Sequence, residues 1–563
     1  MNTIAIIGSG PTGIYTLRGL LQSKTPLDIT MFEAEQIAGK GMPYHPALND
    51  AAMLSNIASI ELPAVRETLV AWLTRQDEEA LARLGVPRDG IDDRTFYPRV
   101  VLGDYFQDQL RQLLEMSVGA GHRVQVRAGH RVTDLRLQPE DIQLTVSEPD
   151  SRRQVYGFDH VVMATGHTWP DNIETKPGYF ISPWPTEALE TIGDCSVGVV
   201  GTSLSGIDAV VGLATKHGSF YLDANGILEY HPAQGSDAFH LTMMSRKGLL
   251  PEADFFCPIP YVPLTICTDE AVDELIESGR PDLLDAVFAL FKEQLAASDP
   301  DYAAGIGLSL LDLEGLSSSY FKERQGSEPF VWAARNLAEA KNNRARGYTV
   351  PWRYAILRMH ENIARVVPAL DGDDLERFHK HFKTIFVDNY ATVPHESIER
   401  LLALRRAGKL DVLVLGDHYE IETAGLERGA RVLRGNDVLT FGAFVDATGQ
   451  STLDATDIPF PTLVRQGVVR RATTREATAI LKSGEVEETT ATGGIDLDDA
   501  FRLVFEQPLS KNLYCVALSF LLHKHPFVQG ITSAHELGGI VSDAIIGTVK
   551  ANGREPLTDP SPE

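Results

Sequence analysis

Ile4-Ala-Ile-Ile-Gly8-Ser-Gly10-Pro-Thr-Gly13 is the stretch that decides the fold. An apolar run enters a Gly-x-Gly-x-x-Gly sequence, and residues 14–21 continue with helical spacing. This order predicts a buried strand, a glycine turn and a helix, the context in which such a sequence binds a dinucleotide. Gly8 allows the tight turn, Gly10 lets a pyrophosphate approach the backbone, and Gly13 lets the helix pack against the strand. The pyrophosphate would bind the unpaired N–H groups at the helix start, around Pro11 and Thr12.

A carboxylate at the end of the next strand supports this interpretation. The apolar run 27–32 is followed by Glu33, and the count from Gly13 is 33 − 13 = 20 residues. At this offset a carboxylate reaches the ribose hydroxyls of a bound adenosine. The N-terminal segment therefore predicts a complete dinucleotide site.

Other segments of small residues predict more of the same site. The loop 39–56 contains Gly41 and Asn56, and its glycines would let the backbone pass beneath a flavin ring; a surface turn is the alternative. A buried strand ends at Thr165 and Gly166, where the chain could pass close to a cofactor. Gln529 and Gly530 precede a long C-terminal helix, whose first N–H groups would face the flavin carbonyls.

A second strand, turn and helix follow later in the chain. Cys195-Ser-Val-Gly-Val-Val leads into Gly201-Thr-Ser-Leu-Ser-Gly206, in which Ser203 replaces the middle glycine. One such unit suggests a dehydrogenase, whereas two suggest a flavoprotein that carries FAD and is reduced by a nicotinamide nucleotide.

Two strand ends compete for the ribose of that nicotinamide nucleotide. Asp223 lies 223 − 206 = 17 residues after Gly206 and would favour an unphosphorylated ribose. Asn225-Gly226 is a tight-turn signal, however, so residues 218–237 are interpreted as an inserted hairpin. The true second strand would then end at Ser245, Arg246 and Lys247, where Arg246 meets a 2′-phosphate. This choice predicts NADPH.

The predicted fold class is α/β, with two Rossmann-like, three-layer dinucleotide-binding domains and a helical insertion. A strand ending at Asp446 and Gly449 repeats the Ala-Thr-Gly sequence of residues 164–166, which suggests that the chain returns to its first domain there. The predicted divisions are residues 1–190 for the N-terminal part of the FAD-binding domain and 191–267 for the NADPH-binding domain. Residues 268–386 form the helical insertion and substrate cleft, and residues 387–563 the return to the FAD-binding domain.

Composition limits the partners and the compartment. The chain has 563 residues and a net charge of −26, which disfavours nucleic acid and anionic membranes and favours a small-molecule substrate. No apolar run approaches the roughly 20 residues of a membrane helix, and the chain begins in a strand, so no signal peptide is expected. Four separated cysteines without a Cys-x-x-Cys pair favour the cytoplasm and predict no metal site. The sequence leaves open whether the chain forms a homo-oligomer.

A basic stretch within the acidic helical region predicts a substrate contact. Arg344, Arg346 and Arg353 could hold an anionic group through forked hydrogen bonds. A solvated turn is the alternative for all three. For Arg99 a phosphate contact and an ordinary salt bridge are equally good interpretations, and His395 is expected to have a structural role. No catalytic residue is identified.

These motifs together resemble the FAD/NAD(P)-binding family of two-dinucleotide flavoproteins. The residues that carry the resemblance are Gly8–Gly13, Gly39–Tyr44, Ala164–His167, Gly201–Gly206, Ser245–Pro251 and Asp446–Gly449. More distantly, the chain resembles class B and N-hydroxylating flavin monooxygenases, including the nitrosuccinate synthases, which oxidise the amino group of aspartate.

The resemblance implies a reaction and leaves two alternatives. It implies that NADPH reduces FAD, that reduced FAD adds O2 to give a C4a-hydroperoxide, and that the amine of an amino acid or another small amine takes the distal oxygen. A reductase that passes electrons to a partner would use the same two sites. A nucleotide-binding sensor would bind both nucleotides without turnover.

Overall fold

The computed structural model describes residues 1–166, 172–449, 453–475, 489–528 and 530–552. Within these ranges the chain forms two parallel sheets, several small antiparallel sheets and a helical region.

The strands are short, and most of those in the two large sheets are buried on one or both faces. In chain order the described strands are β1 (Asn2–Ile7), β2 (Leu27–Phe32), β3 (Arg123–Arg127), β4 (Arg131–Leu137), β5 (Ile142–Ser147), β6 (Arg153–Phe158), β7 (His160–Met163), β8 (Glu174–Lys176), β9 (Tyr179–Phe180), β10 (Ser196–Val200), β11 (Gly218–Leu222), β12 (Leu228–Pro232), β13 (His240–Ser245), β14 (Leu410–Val414), β15 (Glu420–Glu422), β16 (Ala430–Arg434), β17 (Asp437–Phe441), β18 (Ala443–Asp446), β19 (Arg471–Arg475), β20 (Thr489–Ile495) and β21 (Leu513–Cys515).

The helices cover the sheets and build the insertion. In chain order the described helices are α1 (Pro11–Leu20), α2 (Leu69–Thr74), α3 (Glu78–Leu84), α4 (Arg99–Gly119), α5 (Thr186–Leu189), α6 (Leu204–His217), α7 (Asp269–Glu277), α8 (Leu283–Ser298), α9 (Pro300–Gly305), α10 (Leu313–Gln325), α11 (Pro329–Arg346), α12 (Pro351–Ala364), α13 (Gly372–Arg377), α14 (Lys383–Tyr390), α15 (His395–Arg406), α16 (Pro461–Gln466) and α17 (Gly530–Asn552). Short 3-10 turns lie at Met42–Tyr44, Ser59–Glu61, Arg88–Gly90, Leu308–Leu310, Val367–Ala369 and Leu518–Phe520, with a π-helical turn at Phe378–Phe382. None of the described helices is long and apolar enough to cross a membrane.

The first parallel sheet has the order β21-β7-β1-β2-β3, and β1 lies at its centre. The β1 strand pairs with β2 from Asn2↔Leu27 and with β7 from Ile4↔His160, so the apolar run is buried on both faces. Helix α1 packs against α17 so closely that a Cβ at Gly19 would lie 2.0 Å from Ser542 Oγ. The first Rossmann-like unit is therefore confirmed, and its last helix and last strand come from the C-terminal end of the chain.

The second parallel sheet repeats this arrangement in the order β14-β13-β10-β18-β9-β8. The central β10 pairs with β13 from Ser196↔His240 and with β18 from Val197↔Ala443. The hairpin predicted over 218–237 is present as β11 and β12, which pair with each other and stand apart from this sheet. The strand that ends at Ser245 is consequently the neighbour of β10, as the sequence predicted.

The predicted boundaries between the two units need correction at both ends. Strands β8 and β9, assigned to the first domain as part of residues 1–190, lie in the second sheet beside β18. Strands β14 and β18, assigned to the return over 387–563, lie in the second sheet as well. The chain thus leaves the first sheet after Gly166 and rejoins it only after Gly449, in β21. Short apolar strands carry no mark of the sheet they join, which explains both errors.

The helical region between Asp269 and Tyr390 has a core of its own. The rings of Phe288, Phe291, Phe378, Phe382 and Phe386 pack against one another there, separate from the apolar cores of the two sheets. Most of its helices therefore form a distinct body inserted into the second unit, whereas α11 packs against the core of the second sheet through Phe330, Ala333, Leu337 and Ala340. The last strand before it is β13, and α15 and β14 follow it.

Candidate functional site

The first glycine turn is closed by the strand beside it. Gly8 has a φ of 107°, and a Cβ at this position would lie 2.2 Å from the carbonyl oxygen of Ala164, at the end of β7. A Cβ at Gly13 would lie 2.2 Å from the carbonyl oxygen of Gly8. Only glycine fits at either position, because real Cβ contacts are never so short. Thr165 and Gly166 follow directly, which brings the two predicted segments together.

The loop that contains Gly41 crosses this turn. A Cβ at Gly10 would lie 3.2 Å from the Cα of Gly41, and a Cβ at Gly41 would lie 3.0 Å from the Cα of Gly10 and from Pro11 Cδ. Gly41 has a φ of 71°. The two backbones therefore lie in contact without side chains between them. Because these positions carry no side chains, a ligand can also approach the turn closely.

The helices that follow both glycine turns begin without a side-chain cap. Neither Gly10, before α1, nor Ser203, before α6, accepts a hydrogen bond from the first turn of its helix through a side chain, and neither first turn contains an acidic residue. Their N–H groups and the positive end of the helix dipole are thus available to an anion. The two turns fit the diphosphate groups of FAD and of a nicotinamide dinucleotide.

Glu33 lies beside the first turn, where the spacing predicted it. Its Oε2 accepts hydrogen bonds from Ser9 N at 3.1 Å and from Ser9 Oγ at 2.6 Å, and its Oε1 accepts one from Glu35 N at 3.0 Å. Ser9 Oγ accepts a further bond from Gly39 N at 2.9 Å, so the serine ties the turn to the loop that contains Gly41. A carboxylate oxygen accepts more than one hydrogen bond, so this geometry still fits a ribose hydroxyl.

The second glycine turn has the same construction. Gly201 has a φ of 120°, and a Cβ there would lie 2.4 Å from the carbonyl oxygen of Ala447, at the end of β18. A Cβ at Gly206 would lie 2.2 Å from the carbonyl oxygen of Gly201. Asp446 and Gly449 therefore belong to the second turn, and Asp446 Oδ1 accepts hydrogen bonds from both Thr448 N, at 3.0 Å, and Thr448 Oγ1, at 2.7 Å.

The end of β13 brings the predicted NADPH residues to this turn. Thr202 Oγ1 donates to Ser245 Oγ at 3.1 Å, and the exposed guanidinium of Arg246 has no hydrogen bond or ion pair with another described residue. The Nζ of Lys247 lies 3.4 Å from the ring centroid of Phe321 in α10, so this cation points towards the helical region. Asp223 accepts hydrogen bonds within its own hairpin turn and lies outside the sheet of β10.

A cavity of about 700 Å³ lies where the two units and the helical region meet. Asn56 and Gly530 line it from the first unit, and Leu204, the first residue of α6, lines it from the second. The segment 254–261 forms one wall, and α12 and the end of α14 form another. Gly530, with a φ of 77°, opens α17 at this cavity, whereas Gln529 lies outside the described residues.

Carboxyl groups dominate the charged side chains of this cavity. Burial raises the pKa of Glu61, and burial together with Glu61 raises the pKa of Asp254 to about 7. Glu361 and Glu536 lie at the exposed rim, where burial and the charge of Glu361 raise the pKa of Glu536. Burial is the largest cause of each of these shifts, and at Glu61 and Asp254 it outweighs the nearby cation of Arg94.

The three arginines predicted to hold the substrate lie in different surroundings. Arg353 is buried and forms an ion pair with Glu252, and its guanidinium lies over the Trp352 ring at 4.6 Å, so it is not free to hold a substrate. Arg346 is exposed beside Tyr348 and does not line the cavity. The ion pair of Arg353 could not be predicted, because the sequence does not show the carboxylate, 101 residues away, that Arg353 contacts. Arg344 lines a small recess beside Asp254.

Two polar residues of the cavity have no sequence signal. Asp254 lies within residues 248–263, a stretch rich in proline and aromatic residues, but nothing in the sequence marks this carboxylate itself as a site residue. Asn389 lies in an ordinary helical pattern near the end of α14. His395 has the expected structural role, since its Nε2 lies 2.8 Å from the carbonyl oxygen of Asp254.

Comparisons with known proteins agree with this division of the chain. A family model described as FAD-NAD(P)-binding matches residues 5–168, and one described as YdhS-like middle domain matches residues 268–390. The uncharacterized protein YdhS of Escherichia coli (strain K12) is 41% identical over 547 residues, which cover 97% of this chain and 98% of that protein. The predicted resemblance to FAD/NAD(P)-binding proteins and the predicted class of cofactor are confirmed.

Several solved structures have a similar chain path. An ornithine N-hydroxylase of Kutzneria sp. 744 is 16% identical with a TM-score of 0.49, covering 97% of this chain and 99% of that chain. The ornithine hydroxylase PvdA of Pseudomonas aeruginosa is 14% identical with a TM-score of 0.49 and the same coverage of 97% and 99%. The bacillithiol disulfide reductase Bdr of Bacillus cereus is 12% identical with a TM-score of 0.43, again covering 97% and 99%. Monooxygenases and a disulfide reductase thus occur together among the similar structures.

Proposed function

Since this chain belongs to the YdhS family and carries an FAD-NAD(P)-binding unit, we propose that it is an FAD-dependent monooxygenase reduced by NADPH. The observation that carries the proposal is the pair of glycine turns, each closed by the carbonyl of a neighbouring strand end, with elements of both units lining one cavity. A nicotinamide and a flavin must meet for hydride transfer, so two nucleotide sites that share a cavity favour this chemistry.

The residues that we propose to hold the two nucleotides are those that the sequence motifs indicate. FAD would be held by Gly8, Gly10, Pro11, Thr12, Gly13, Glu33, Gly41, Asn56, Thr165, Gly166, Gln529 and Gly530. NADPH would be held by Gly201, Ser203, Gly206, Ser245, Arg246, Lys247, Asp446 and Gly449. When bound, FAD supplies hydride acceptance from NADPH and activation of O2 for transfer of one oxygen atom.

The substrate we propose is a small amine. The balanced reaction is R–NH2 + O2 + NADPH + H⁺ → R–NHOH + NADP⁺ + H2O, in which nitrogen gains one oxygen atom and the second oxygen leaves as water. The chain's own contribution is position and exclusion of water, because the cavity is walled by the helical region on one side. We assign the reaction to the reducing cytoplasm, since all four cysteines are free thiols.

A stoichiometry measurement tests the proposal. Purified protein loaded with FAD is mixed with NADPH without oxygen, and the flavin absorbance is followed; oxygen and a panel of small amines are then added. The proposal expects rapid bleaching, then amine-dependent consumption of one O2 per NADPH with a hydroxylamine product. Bleaching without any amine-dependent oxygen consumption would favour the reductase alternative, and failure of NADPH to bleach the flavin would favour a sensor.

A further inference from the structure

We propose that the cavity at the meeting point of the two units binds a protonated alkyl amine that carries no carboxylate, with Asp254 accepting its proton and Asn389 binding its polar group. This inference rests on the proposed function and specifies its substrate. It concerns the wall formed by residues 254–261 and 389–392 together with the rim.

The charges that face the cavity favour a cation. Glu61, Asp254, Glu361 and Glu536 line it, and the lining contains one arginine, Arg365, within the described ranges. That arginine is already paired with Asp273, with 2.5 Å between Arg365 Nη2 and Asp273 Oδ2. A substrate carboxylate would therefore meet four carboxyls and no available cation, whereas a substrate ammonium would supply the missing positive charge.

The other cations near these carboxyls each contact groups of the protein. Arg358 pairs with Glu361 at 3.4 Å and lies over the Tyr261 ring at 4.5 Å. Arg94 donates to the carbonyl oxygen of Cys257 at 3.0 Å and lies over the ring of Phe256 at 4.4 Å. Arg344 lies 3.6 Å from Asp92 and donates to the carbonyl oxygen of Arg94 at 3.3 Å.

A metal ion does not explain the carboxyls. Among the described residues no group of three or more His, Cys, Asp or Glu side chains is arranged to hold a metal ion. An organic cation needs no such convergence, because an ammonium carries three donors and its charge acts over several ångströms. The carboxyls of the cavity are therefore better matched to an amine than to a metal.

Asn389 gives an indication, independent of the carboxyl groups, that a ligand binds in this cavity. Its side chain is 1% exposed and lines the cavity, yet neither Oδ1 nor Nδ2 has a hydrogen-bond partner in the described structure. A buried carboxamide without partners is costly in the free protein, and a ligand that both donates and accepts would satisfy it. A hydroxyl on the substrate chain, or an amine in its neutral form, has this capacity.

Backbone hydrogen bonds fix the position of Asp254, from which its carboxyl would exchange a proton with the bound amine. Its N–H donates to the carbonyl oxygen of Val393 at 2.8 Å, and its own carbonyl oxygen lies 2.8 Å from His395 Nε2. The groups around its carboxyl are Glu61, Arg94, Arg344 and the hydroxyl of Thr392.

The proton step balances without another reactant. The ammonium R–NH3⁺ gives one proton to the Asp254 carboxylate, which leaves R–NH2 with a free lone pair and a neutral carboxylic acid. An amine needs this lone pair to accept oxygen, and a carboxyl whose pKa lies near 7 changes its protonation state in the working range.

Calorimetric titration of the FAD-loaded protein tests the ligand class. The probes are 1,5-diaminopentane, L-lysine, which adds a carboxylate to the same chain, and 1,5-pentanediol, which lacks the charge. We expect diaminopentane to bind at least tenfold more tightly than lysine, and the diol not to bind. Equal or tighter binding of lysine would overturn the inference, as would binding of the diol at the strength of the diamine.

Variants test the two residues. Asp254→Asn should weaken diaminopentane binding at least tenfold and remove the dependence of binding on pH between about 6 and 8, whereas the exposed control Asp301→Asn should change neither. Should Asp254→Asn fail to retain flavin, Glu536→Gln at the rim replaces it, with a weaker loss expected. Unchanged binding in whichever of these variants retains flavin would refute the inference.

The same samples separate this inference from the proposed function. Bound flavin and its reduction by NADPH are measured first on each protein. Intact reduction without amine binding would reject the cation site alone. Loss of flavin binding or of reduction in the unmodified protein would reject the proposed function.

Discussion

The guanidinium of Arg99 lies 2.6 Å from the carboxylate of Asp208; the Asp208 side chain is buried and the Arg99 side chain is 12% exposed. The pair joins α4 of the first unit to α6 of the second, the helix that begins at the second glycine turn. It answers the question the sequence left open for Arg99, which forms a salt bridge rather than a ligand contact. An ion pair between largely buried side chains therefore connects the two units.

Removing one member of this pair should destabilise the protein. Arg99→Ala leaves the Asp208 carboxylate buried without its partner, and we expect a loss of roughly 3–5 kcal/mol in the free energy of unfolding. Denaturant titration measures this loss. The exposed pair Arg280–Asp282 is the control, because Arg280→Ala removes only a solvent-exposed ion pair and should leave the free energy of unfolding almost unchanged. Equal effects of the two substitutions would contradict the role assigned to Arg99.

The two glycine turns should separate the two nucleotides. Gly8→Ala places a Cβ against the carbonyl of Ala164 and should abolish FAD retention, whereas Gly201→Ala should leave FAD bound and raise the KM for NADPH at least tenfold. Flavin absorbance after desalting and steady-state kinetics measure the two effects. Gly226→Ala is the matched control, since Gly226 also has a positive φ, 76°, but open space around it. A loss of FAD in Gly201→Ala would mean that the turns are wrongly assigned.

The nicotinamide preference should depend on one exposed side chain. Arg246→Ala removes a free guanidinium beside Ser245, and we expect the KM for NADPH to rise about 10- to 100-fold, corresponding to roughly 1.5–3 kcal/mol for a charge-assisted hydrogen bond. The KM for NADH should change little. Lys247→Ala, whose cation lies on Phe321, should have a smaller effect. If both coenzymes were affected equally, a 2′-phosphate contact would be excluded.

The free energy of unfolding at acidic pH should depend on Glu252. Although burial opposes its ionisation, Arg353 and Arg324 hold the pKa of Glu252 at about 2, below its ordinary value of 4.5. A depressed pKa stabilises the folded protein above the unfolded pKa, and this contribution is lost as the pH falls from about 4.5 towards 2. The difference of about 2.5 pH units corresponds to roughly 3 kcal/mol. Unfolding titrations from pH 7 to pH 2 should show this loss in the unmodified protein and a flatter profile in Glu252→Gln; parallel profiles would argue against it.

The sequence predicted the parts of the fold that are local. Gly8–Gly13 and Gly201–Gly206 each encode a strand, a turn and a helix within about 20 residues, and Asn225-Gly226 encodes its hairpin in the same way. The strand that contains Phe444 could not be assigned to the correct sheet, because its apolar residues suit either one. Arg353 and Asp254 were missed or misassigned for a related reason. Their roles depend on partners such as Glu252 and Glu61, which only the folded chain brings near them.

Anaerobic mixing of the FAD-loaded protein with NADPH, observed through the flavin absorption band, tests most directly whether the two nucleotide sites open on one cavity. Two nucleotide sites that open on one cavity predict complete bleaching at a rate that saturates with NADPH concentration, and loss of this reduction in Gly201→Ala without loss of bound FAD. A protein that retains no FAD, or a bound flavin that NADPH does not bleach, would contradict the account.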